Sequence, residues 1–323
     1  MSPAPPCPVT GAPGSRLIQQ VSANLLIGLW KAAFRVDVSA VLEPGTVFGL
    51  WEAPCGLIFF EPRLAGDASF YRNLYPRLSR DGPWSTAAAA RADYSHAVAR
   101  VRPGDRVLDV GCGAGAFAAC VPTAHYVGLD SSYPGTAPDT IAASGGGAGP
   151  QIRRESLAAH AADHREEYDV VCAFHVLEHD PDPLRFARDL AGCVRPGGLV
   201  IIAVPKFPSA VNDIPDCMFN APPHHLTWWS ERALAALGAA AGLDVESVGG
   251  LPLGTHHKTG YWMGRVAPRL TGEVYFKASR AWYAALAWSA VAGSVCSALF
   301  GAPRTAPPVE LLFVGRRPGA VGS

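Results

Sequence analysis

Residues 107–117 read Val-Leu-Asp-Val-Gly-Cys-Gly-Ala-Gly-Ala-Phe, an apolar run that ends in an acid and continues into a loop with glycine at every second position. Residues 126–130, Tyr-Val-Gly-Leu-Asp, form a second apolar run that ends in an acid. These two apolar runs and the glycine loop between them predict a strand, a tight turn, a short helix and a second strand, with a carboxylate at the end of each strand. Glycine permits positive φ and lets a ligand approach with no Cβ in the way, so this layout predicts a nucleotide site.

Ligands of doubly wound sheets bind beyond the carboxyl ends of the strands. Asp130, at the end of the second strand, is therefore predicted to accept hydrogen bonds from both ribose hydroxyls. The dinucleotide fingerprint Gly-x-Gly-x-x-Gly is excluded because the third glycine comes one residue early, and no phosphate-binding loop with Gly-Lys-Ser/Thr is present. A purely structural turn is the alternative, but the acids on both sides of the loop favour a nucleotide.

Two further blocks follow in order. Residues 168–179 read Tyr-Asp-Val-Val-Cys-Ala-Phe-His-Val-Leu-Glu-His, and residues 194–205 read Val-Arg-Pro-Gly-Gly-Leu-Val-Ile-Ile-Ala-Val-Pro. With the glycine loop, these blocks resemble the class I S-adenosylmethionine-dependent methyltransferases, whose first motif reads Asp-x-Gly-x-Gly-x-Gly. The resemblance covers about residues 85–250, and it implies S-adenosyl-L-methionine as the cofactor.

The resemblance also implies which residues bind that cofactor. It places Phe174 and His175 against the methionine portion, and the full expected set is Asp109, Gly111, Gly113, Gly115, Asp130, Ser131, Phe174 and His175.

His175, Glu178 and His179 have a spacing that would also suit a metal. Ubiquinone-pathway O-methyltransferases bind a divalent ion at a similar place, but with Glu where this chain has His175. We therefore expect a structural or hydrogen-bonding role for the Glu-His pair, and no metal.

Residues 220–230, Asn-Ala-Pro-Pro-His-His-Leu-Thr-Trp-Trp-Ser, form a loop in which two prolines stiffen the chain before two histidines. A hydroxyl acceptor must lose a proton, and His is suited to accept it near neutral pH. His224 or His225 is the predicted general base, with His179 next in line; the alternative is that one histidine only hydrogen-bonds the loop. In an extended loop adjacent side chains point opposite ways, so one ring is expected in the pocket and the other in the protein.

The N-terminal region contains Cys7-Pro-Val-Thr-Gly11 and Glu52-Ala-Pro-Cys-Gly56. Related methyltransferases carry a knuckle of two Cys-x-x-Cys-Gly pairs, which would hold zinc with four sulfurs. Thr10 and Glu52 stand where two of these thiols would be. We expect a degenerate knuckle that keeps its turns and has lost its metal.

The charge balance of the chain bears on whether it binds nucleic acid. Lys plus Arg equals Asp plus Glu, 27 each, so no overall basic field indicates nucleic acid. The first residues lack a basic segment followed by an apolar one, which predicts a cytoplasmic protein without a signal peptide.

Alternating strand and helix patterns predict an α/β fold. We expect a doubly wound, mostly parallel seven-stranded sheet of the Rossmann-like methyltransferase type, with an N-terminal α+β cap and a helical insertion near the C-terminus. The predicted division is a cap (1–84), a cofactor-binding core (85–250), the insertion (251–308), and the last strand with the tail (309–323). Local expectations are helices over 16–34 and 86–101, a hairpin over 46–60, packing roles for Trp228 and Trp229, and a flexible loop over 142–149.

Residues 281–300 contain no charged side chain and are long enough to span a bilayer. Small residues recur at every fourth position (Ala285, Ser289, Gly293, Ser297) beside a stripe of large apolar ones (Trp288, Val291, Val295, Leu299). A packed helix or cover of the substrate site, a helix in the membrane interface and a membrane span are the three alternatives, in that order of preference.

The sequence thus predicts an S-adenosylmethionine-dependent methyltransferase. The expected acceptor is a hydroxyl, or failing that N or C, of a small, sugar-linked or lipid-linked molecule. The rival hypotheses are a protein that keeps the fold and binds the cofactor without turnover, and a membrane-associated protein held by residues 281–300.

Overall fold

The computed structural model describes residues 4–81, 91–132, 139–140, 151–268 and 274–319. The chain forms two compact units. The cap unit comprises Met1–Thr86, Pro205–Ala233 and Gly250–Glu310, and the core unit comprises Ala87–Val204, Leu234–Gly249 and Leu311–Ser323.

The described strands are, in chain order, β1 Arg16–Ser22, β2 Val47–Glu52, β3 Ile58–Glu61, β4 Arg106–Val110, β5 His125–Leu129, β6 Asp139–Thr140, β7 Gln151–Arg153, β8 Tyr168–Phe174, β9 Val194–Pro205, β10 Thr227–Trp228, β11 Asp244–Gly250 and β12 Glu310–Arg316. The described α-helices are α1 Ala23–Phe34, α2 Ser39–Leu42, α3 Ala68–Asp81, α4 Ala92–Val98, α5 Leu157–Asp163, α6 Pro183–Cys193, α7 Glu231–Ala240, α8 Lys258–Val266 and α9 Arg280–Phe300.

The large sheet has the strand order β11-β12-β9-β8-β4-β5-β7-β6. Strands β9, β8, β4, β5 and β7 run parallel to one another. Backbone bonds join residue 206 to 309 and residue 197 to 317, so β12 runs antiparallel to β9. The predicted seven-stranded, mostly parallel sheet is confirmed, and the two-residue β6 adds an antiparallel strand at its edge.

Capping residues set the helix ends. Asp182 accepts a hydrogen bond from the backbone of Arg185, and Pro183 occupies the first turn of α6, which suits a residue without an N–H.

After the glycine loop the chain forms a five-residue 3₁₀ helix, Ala116–Cys120, rather than an α-helix. Pro122 accounts for its short length, because the residue before a proline is displaced from helical geometry, and Val121 has φ −127° and ψ 55°.

The cap unit is built on a small sheet with the order β1-β2-β3-β10. The hairpin expected over 46–60 is present as antiparallel β2 and β3. The expected helix over 16–34 is wrong in its first half, because residues 16–22 pair with β2 as β1. Ser22 separates the two halves, since its side chain caps α1 by accepting from the backbone of Leu25.

The predicted domain boundaries need correction between 205 and 233 and at the insertion. Residues 205–233 and 250–310 belong to the cap unit rather than to the core or to a separate insertion. The reason is strand pairing and packing: β10 pairs with β3, and Gly264 of α8 packs against the backbone of Ala210. The helix expected over 86–101 is present in its middle part as α4, and residues 86–90 lie outside the described residues. The expected flexible loop over 142–149 also lies outside the described residues.

Helix α9 has two different faces. Its buried residues include all four small residues of the predicted stripe, together with Trp282, and Gly293 lies directly against the backbone of Met263 in α8. The large stripe is exposed: Trp288 is 59%, Val291 67%, Val295 52% and Leu299 71% accessible. In the part of the chain that the structure describes, α9 is the one helix long and apolar enough to cross a membrane.

Candidate functional site

The glycine loop and Asp130 form one hydrogen-bonded unit at the carboxyl ends of β4 and β5. Gly113 N–H donates to one oxygen of the Asp130 carboxylate at 3.0 Å, and Ser132 N–H donates to the other at 2.8 Å. A carboxylate offers about four acceptor positions, so each oxygen retains a lone pair for a further donor. This geometry suits the predicted contact with two ribose hydroxyls. Ser131 follows on the exposed side, and its cofactor contact stays a prediction.

The loop needs glycine at its first position for two separate reasons. Gly111 has φ +71°, and a Cβ there would lie 2.3 Å from Val176. Any side chain would therefore push the loop away from the chain segment that follows β8.

Asp109 lies beneath the loop and is 2% exposed. Tyr126 donates a hydrogen bond to it at 2.7 Å. Burial raises the pKa of the Asp109 carboxyl to about 7, although the Tyr126 hydrogen bond acts in the opposite direction. The buried carboxyl therefore keeps its proton to a higher pH than a free aspartate does, and the Tyr126 hydrogen bond joins it to β5.

Phe174, at the end of β8, packs in an aromatic cluster. Its ring centroid lies 4.9 Å from that of Tyr94 and 5.0 Å from that of Phe117. The predicted cofactor contact of Phe174 stays a prediction. The sequence analysis did not include Tyr94 in this cluster, although its helix α4 precedes the first motif. The Arg91 guanidinium lies over the Tyr94 ring at 4.0 Å, so one face of the aromatic cluster makes a cation–π contact.

His175 has φ +58°, which is uncommon for a residue with a side chain. Its Nε2 lies 3.8 Å from Asp93 and its Nδ1 lies 3.5 Å from Glu178. Asp93 is fully buried and pairs with Arg91 at 2.5 Å. Asp93 was also missed; its signal was an acid in the first turn of α4, immediately upstream of the glycine motif.

Glu178 is 1% exposed and lies between two imidazoles. The distance from its Oε1 to His179 Nε2 is 4.0 Å and to His175 Nδ1 is 3.5 Å. These are imidazole–carboxylate contacts at ion-pair distances, and the role expected for the Glu-His pair stays a prediction.

His224 and His225 belong to the cap unit and are both buried. Their rings stack at 4.6 Å with an interplanar angle of 19°, so the expectation that they point opposite ways is wrong. The loop is not extended: both backbone N–H groups donate to Ala221 O, and this turn brings the rings to one side. Asn220 Oδ1 lies 3.3 Å from His225 Nδ1.

Aromatic side chains surround His224. Ring centroids within 6.3 Å of it belong to Trp30, Phe70, Tyr71 and Phe219. The two tryptophans after the loop are also buried. Trp229 donates to Thr227 and Trp228 donates to the carbonyl of Asn220, which agrees with their predicted packing role.

A second histidine pair was missed in the sequence. His257 Nε2 lies 2.6 Å from Glu310, and His256 Nε2 lies 3.8 Å from the same carboxylate oxygen. Glu310 is 2% exposed and begins β12. The adjacent His256-His257 was a visible signal, but the partner is more than fifty residues away in the sequence.

Comparison with known proteins matches residues 86–248 to the methyltransferase domain family. The ubiquinone biosynthesis O-methyltransferase of Aeromonas salmonicida is 31% identical over 170 residues, which are 49% of this chain and 71% of that protein. The protein of the same name from Salmonella enteritidis is 36% identical over 102 residues, 31% of this chain and 42% of its own length. The chain thus spans less than half the length of the Salmonella relative.

A solved S-adenosylmethionine-dependent methyltransferase from Archaeoglobus fulgidus has a TM-score of 0.45 and 16% identity, covering 72% of this chain and 95% of that one. The strand order and the glycine loop define an open α/β protein with a nucleotide site at the carboxyl edge of its sheet. The chain belongs to the methyltransferase domain family.

Membership of the methyltransferase domain family gives S-adenosyl-L-methionine as the cofactor. The residues present fit it: Gly113 has open space where a Cβ would stand, and the Asp130 oxygens retain acceptor capacity for the ribose. When bound, the cofactor supplies an electrophilic methyl group on a sulfonium.

Proposed function

We propose that this methyltransferase acts on a hydroxyl group of a lipid-linked acceptor, with a sugar-linked acceptor as the alternative. The observation that carries the proposal is the similarity to a ubiquinone biosynthesis O-methyltransferase over 71% of that relative's length. Oxygen is therefore favoured over nitrogen or carbon as the methylated atom.

Transfer to a hydroxyl forms a C–O bond, breaks the sulfonium C–S bond and requires removal of the hydroxyl proton. His224 or His225 accepts that proton in this proposal. Positioning contributes most of the remaining rate acceleration, and the buried aromatic surroundings of His224 suit an apolar acceptor.

Replacement of either histidine tests the base. We expect His224→Ala or His225→Ala to lower turnover by about 10²–10⁴-fold, the usual contribution of a positioned base. Cofactor affinity, measured by calorimetry, should be almost unchanged, because the cofactor-binding residues lie in the core unit. If both variants keep normal turnover, the loop is only structural and His179 is the next residue to replace.

The acceptor itself is testable with labelled S-adenosylmethionine. Purified protein is incubated with lipid and polar metabolite fractions, and label should enter an apolar product whose fragmentation places the methyl on oxygen. Label on nitrogen or carbon would contradict the proposed atom. Cofactor binding with no labelled product and no S-adenosylhomocysteine would instead support a protein that binds the cofactor without turnover.

Helix α9 supports a membrane-bound acceptor. Its exposed stripe of four large apolar side chains has no charged residue beside it, whereas a solvent-facing helix surface is ordinarily polar. Burying four such side chains in lipid would contribute several kcal/mol, at about 1.5–3 kcal/mol each. Because the opposite face is packed on α8, this helix suits the membrane interface rather than a span.

The basic residues of the segment 251–308 indicate a membrane with anionic lipids. Residues 251–308 contain a single acid and six basic residues, although the whole chain has no net charge. Basic residues near an anionic lipid surface contribute about 1 kcal/mol each. The six are Lys258, Arg265, Arg269, Lys277, Arg280 and Arg304, and the acid is Glu273.

Sedimentation with vesicles tests this surface. The protein should bind vesicles containing phosphatidylglycerol, and the double variant Val291→Asp/Leu299→Asp should bind at least about tenfold more weakly, since charge is costly in an apolar environment. Val47→Asp, at a position that is 54% exposed on β2, is the matched control and should bind normally. Dimerisation through α9 without vesicle binding would show that a second copy, not lipid, covers the stripe.

A further inference from the structure

Two cysteines of the cap unit are far apart in the sequence but close together in the structure. Cys7 Sγ and Cys55 Sγ are 3.5 Å apart. The first lies in the N-terminal turn, where Gly11 N–H donates to Cys7 O, and the second lies in the turn between β2 and β3, where Gly56 N–H donates to Ala53 O. The expected degenerate knuckle thus has turns that bring its two remaining thiols into contact.

Zinc does not fit this pair. Structural zinc requires four ligands. Glu52, which stands at one of the lost cysteine positions, pairs with Arg16 at 2.6 Å, and the Thr10 hydroxyl accepts from Ala12 N–H. Among the described residues, no other His, Cys, Asp or Glu forms a compact ligand group with these sulfurs.

Both turns are held by further bonds within the cap unit. Ser230 donates to Gly56 O, and Arg232 donates to Cys55 O. On the other side, Thr10 N–H donates to Cys7 Sγ at 3.4 Å. The sulfurs therefore need to move together by only about 1.5 Å to reach the disulfide bond length of about 2.05 Å.

We propose that Cys7 and Cys55 form a redox-active dithiol that a peroxide oxidises to a disulfide. The proposal is independent of the proposed acceptor. A small oxidant is required because Cys7 is only 2% exposed, whereas Cys55 is half-buried.

The two thiols have different roles in the reaction. The hydrogen bond from Cys55, with smaller contributions from Thr10, lowers the pKa of Cys7 to about 5, whereas the same contact raises the pKa of Cys55. The backbone N–H of Thr10 also donates to Cys7 Sγ at 3.4 Å, which favours negative charge on this sulfur. We therefore assign Cys7 as the thiolate, which is the nucleophilic form. Its sulfur attacks hydrogen peroxide, the O–O bond breaks, and hydroxide leaves as Cys7 becomes a sulfenic acid.

Cys55 completes the reaction. Its sulfur displaces hydroxide from the Cys7 sulfenic acid, so the S–O bond breaks as the S–S bond forms. The proton of Cys55 goes to the hydroxide that leaves in this second step. One thiolate, one thiol and one peroxide thus give one disulfide, one water and one hydroxide, and that hydroxide takes up a proton from solvent.

Differential alkylation and peptide mass spectrometry test the proposal on the full chain. With limiting peroxide at pH 7, the Cys7–Cys55 disulfide should form at least about tenfold faster than any other cysteine is oxidised, because a low-pKa thiolate reacts first. The rate should fall on acidification, because protonation of Cys7 removes the nucleophilic thiolate.

Two variants separate the roles. Cys55→Ser should stop at a Cys7 sulfenic acid that dimedone traps, and Cys7→Ser should leave Cys55 unreacted. Cys296→Ser is the control and should change neither outcome. Oxidation of all cysteines at one rate, or a stoichiometric zinc that protects both sulfurs, would overturn the proposal.

Discussion

Asp130 links the cofactor site to the backbone of the glycine loop. Its two oxygens accept from Gly113 and Ser132, so this carboxylate orders the loop, and in the predicted role it would also accept hydrogen bonds from the ribose. Replacing this residue therefore removes both functions at once.

We predict that Asp130→Ala weakens S-adenosylmethionine binding by about 1.5–3 kcal/mol, the range for lost hydrogen bonds to a charged group. Isothermal calorimetry measures the change, and NAD should not bind detectably to either protein. Asp244→Ala, at an exposed position on β11, is the matched control. Unchanged affinity in Asp130→Ala would contradict the ribose assignment.

Asp109 makes stability depend on pH in an unusual direction. Its pKa is raised by burial to about 7 in the folded protein, whereas a free aspartate titrates near 3.9. The unfolded chain therefore loses this proton first as pH rises, and the stability contributed by the neutral carboxyl is lost between about pH 4 and pH 7.

Urea unfolding at several pH values should reveal this loss. Asp109→Asn does not titrate at this position, so its stability relative to the parent should increase from pH 4 to about pH 7 and then level off. Tyr126→Phe removes a hydrogen bond that lowers the Asp109 pKa, and should move the plateau to higher pH. A stability difference that does not change with pH would show that Asp109 is ionised in the fold.

At the scale of elements, the two faces of α9 differ in side-chain size and in burial. Small residues at every fourth position let α8 and α9 approach closely, and Thr259 meets Ser297 at 2.9 Å across the contact. The bulky residues then lie on the opposite, exposed face.

Gly293→Ala should destabilise the cap unit by about 1–3 kcal/mol, the usual cost of overpacking. The new Cβ would meet the Met263 backbone at 2.7 Å, and backbone cannot move aside as a flexible side chain can. Ser294→Ala, on the exposed face, should be nearly neutral. Thermal unfolding compares the two, and equal melting temperatures would mean that the helices separate easily.

Elements with strong local signals were predicted well. Strands β4, β5, β8 and the hairpin β2–β3 follow from short apolar runs between turn residues. The segment 16–22 was predicted wrongly, because its spacing of apolar residues also fits a helix. It forms a strand because it pairs with β2, which lies about thirty residues later in the chain.

At the scale of the whole molecule, each compact unit is assembled from three separate chain segments. The predicted division into consecutive domains missed this arrangement. Periodicity reports the conformation of a segment, but the partner against which it packs depends on pairings distant in sequence, such as β10 with β3.

The sequence by itself determined the parallel sheet, the glycine loop and the acids at the strand tips, because these features depend on local sterics and on strand order. From them the family and its cofactor followed. Only the tertiary structure decided the stacking of His224 on His225, the His257–Glu310 contact and the approach of Cys7 to Cys55. These depend on turns and on pairings between distant segments, whose geometry no local pattern encodes.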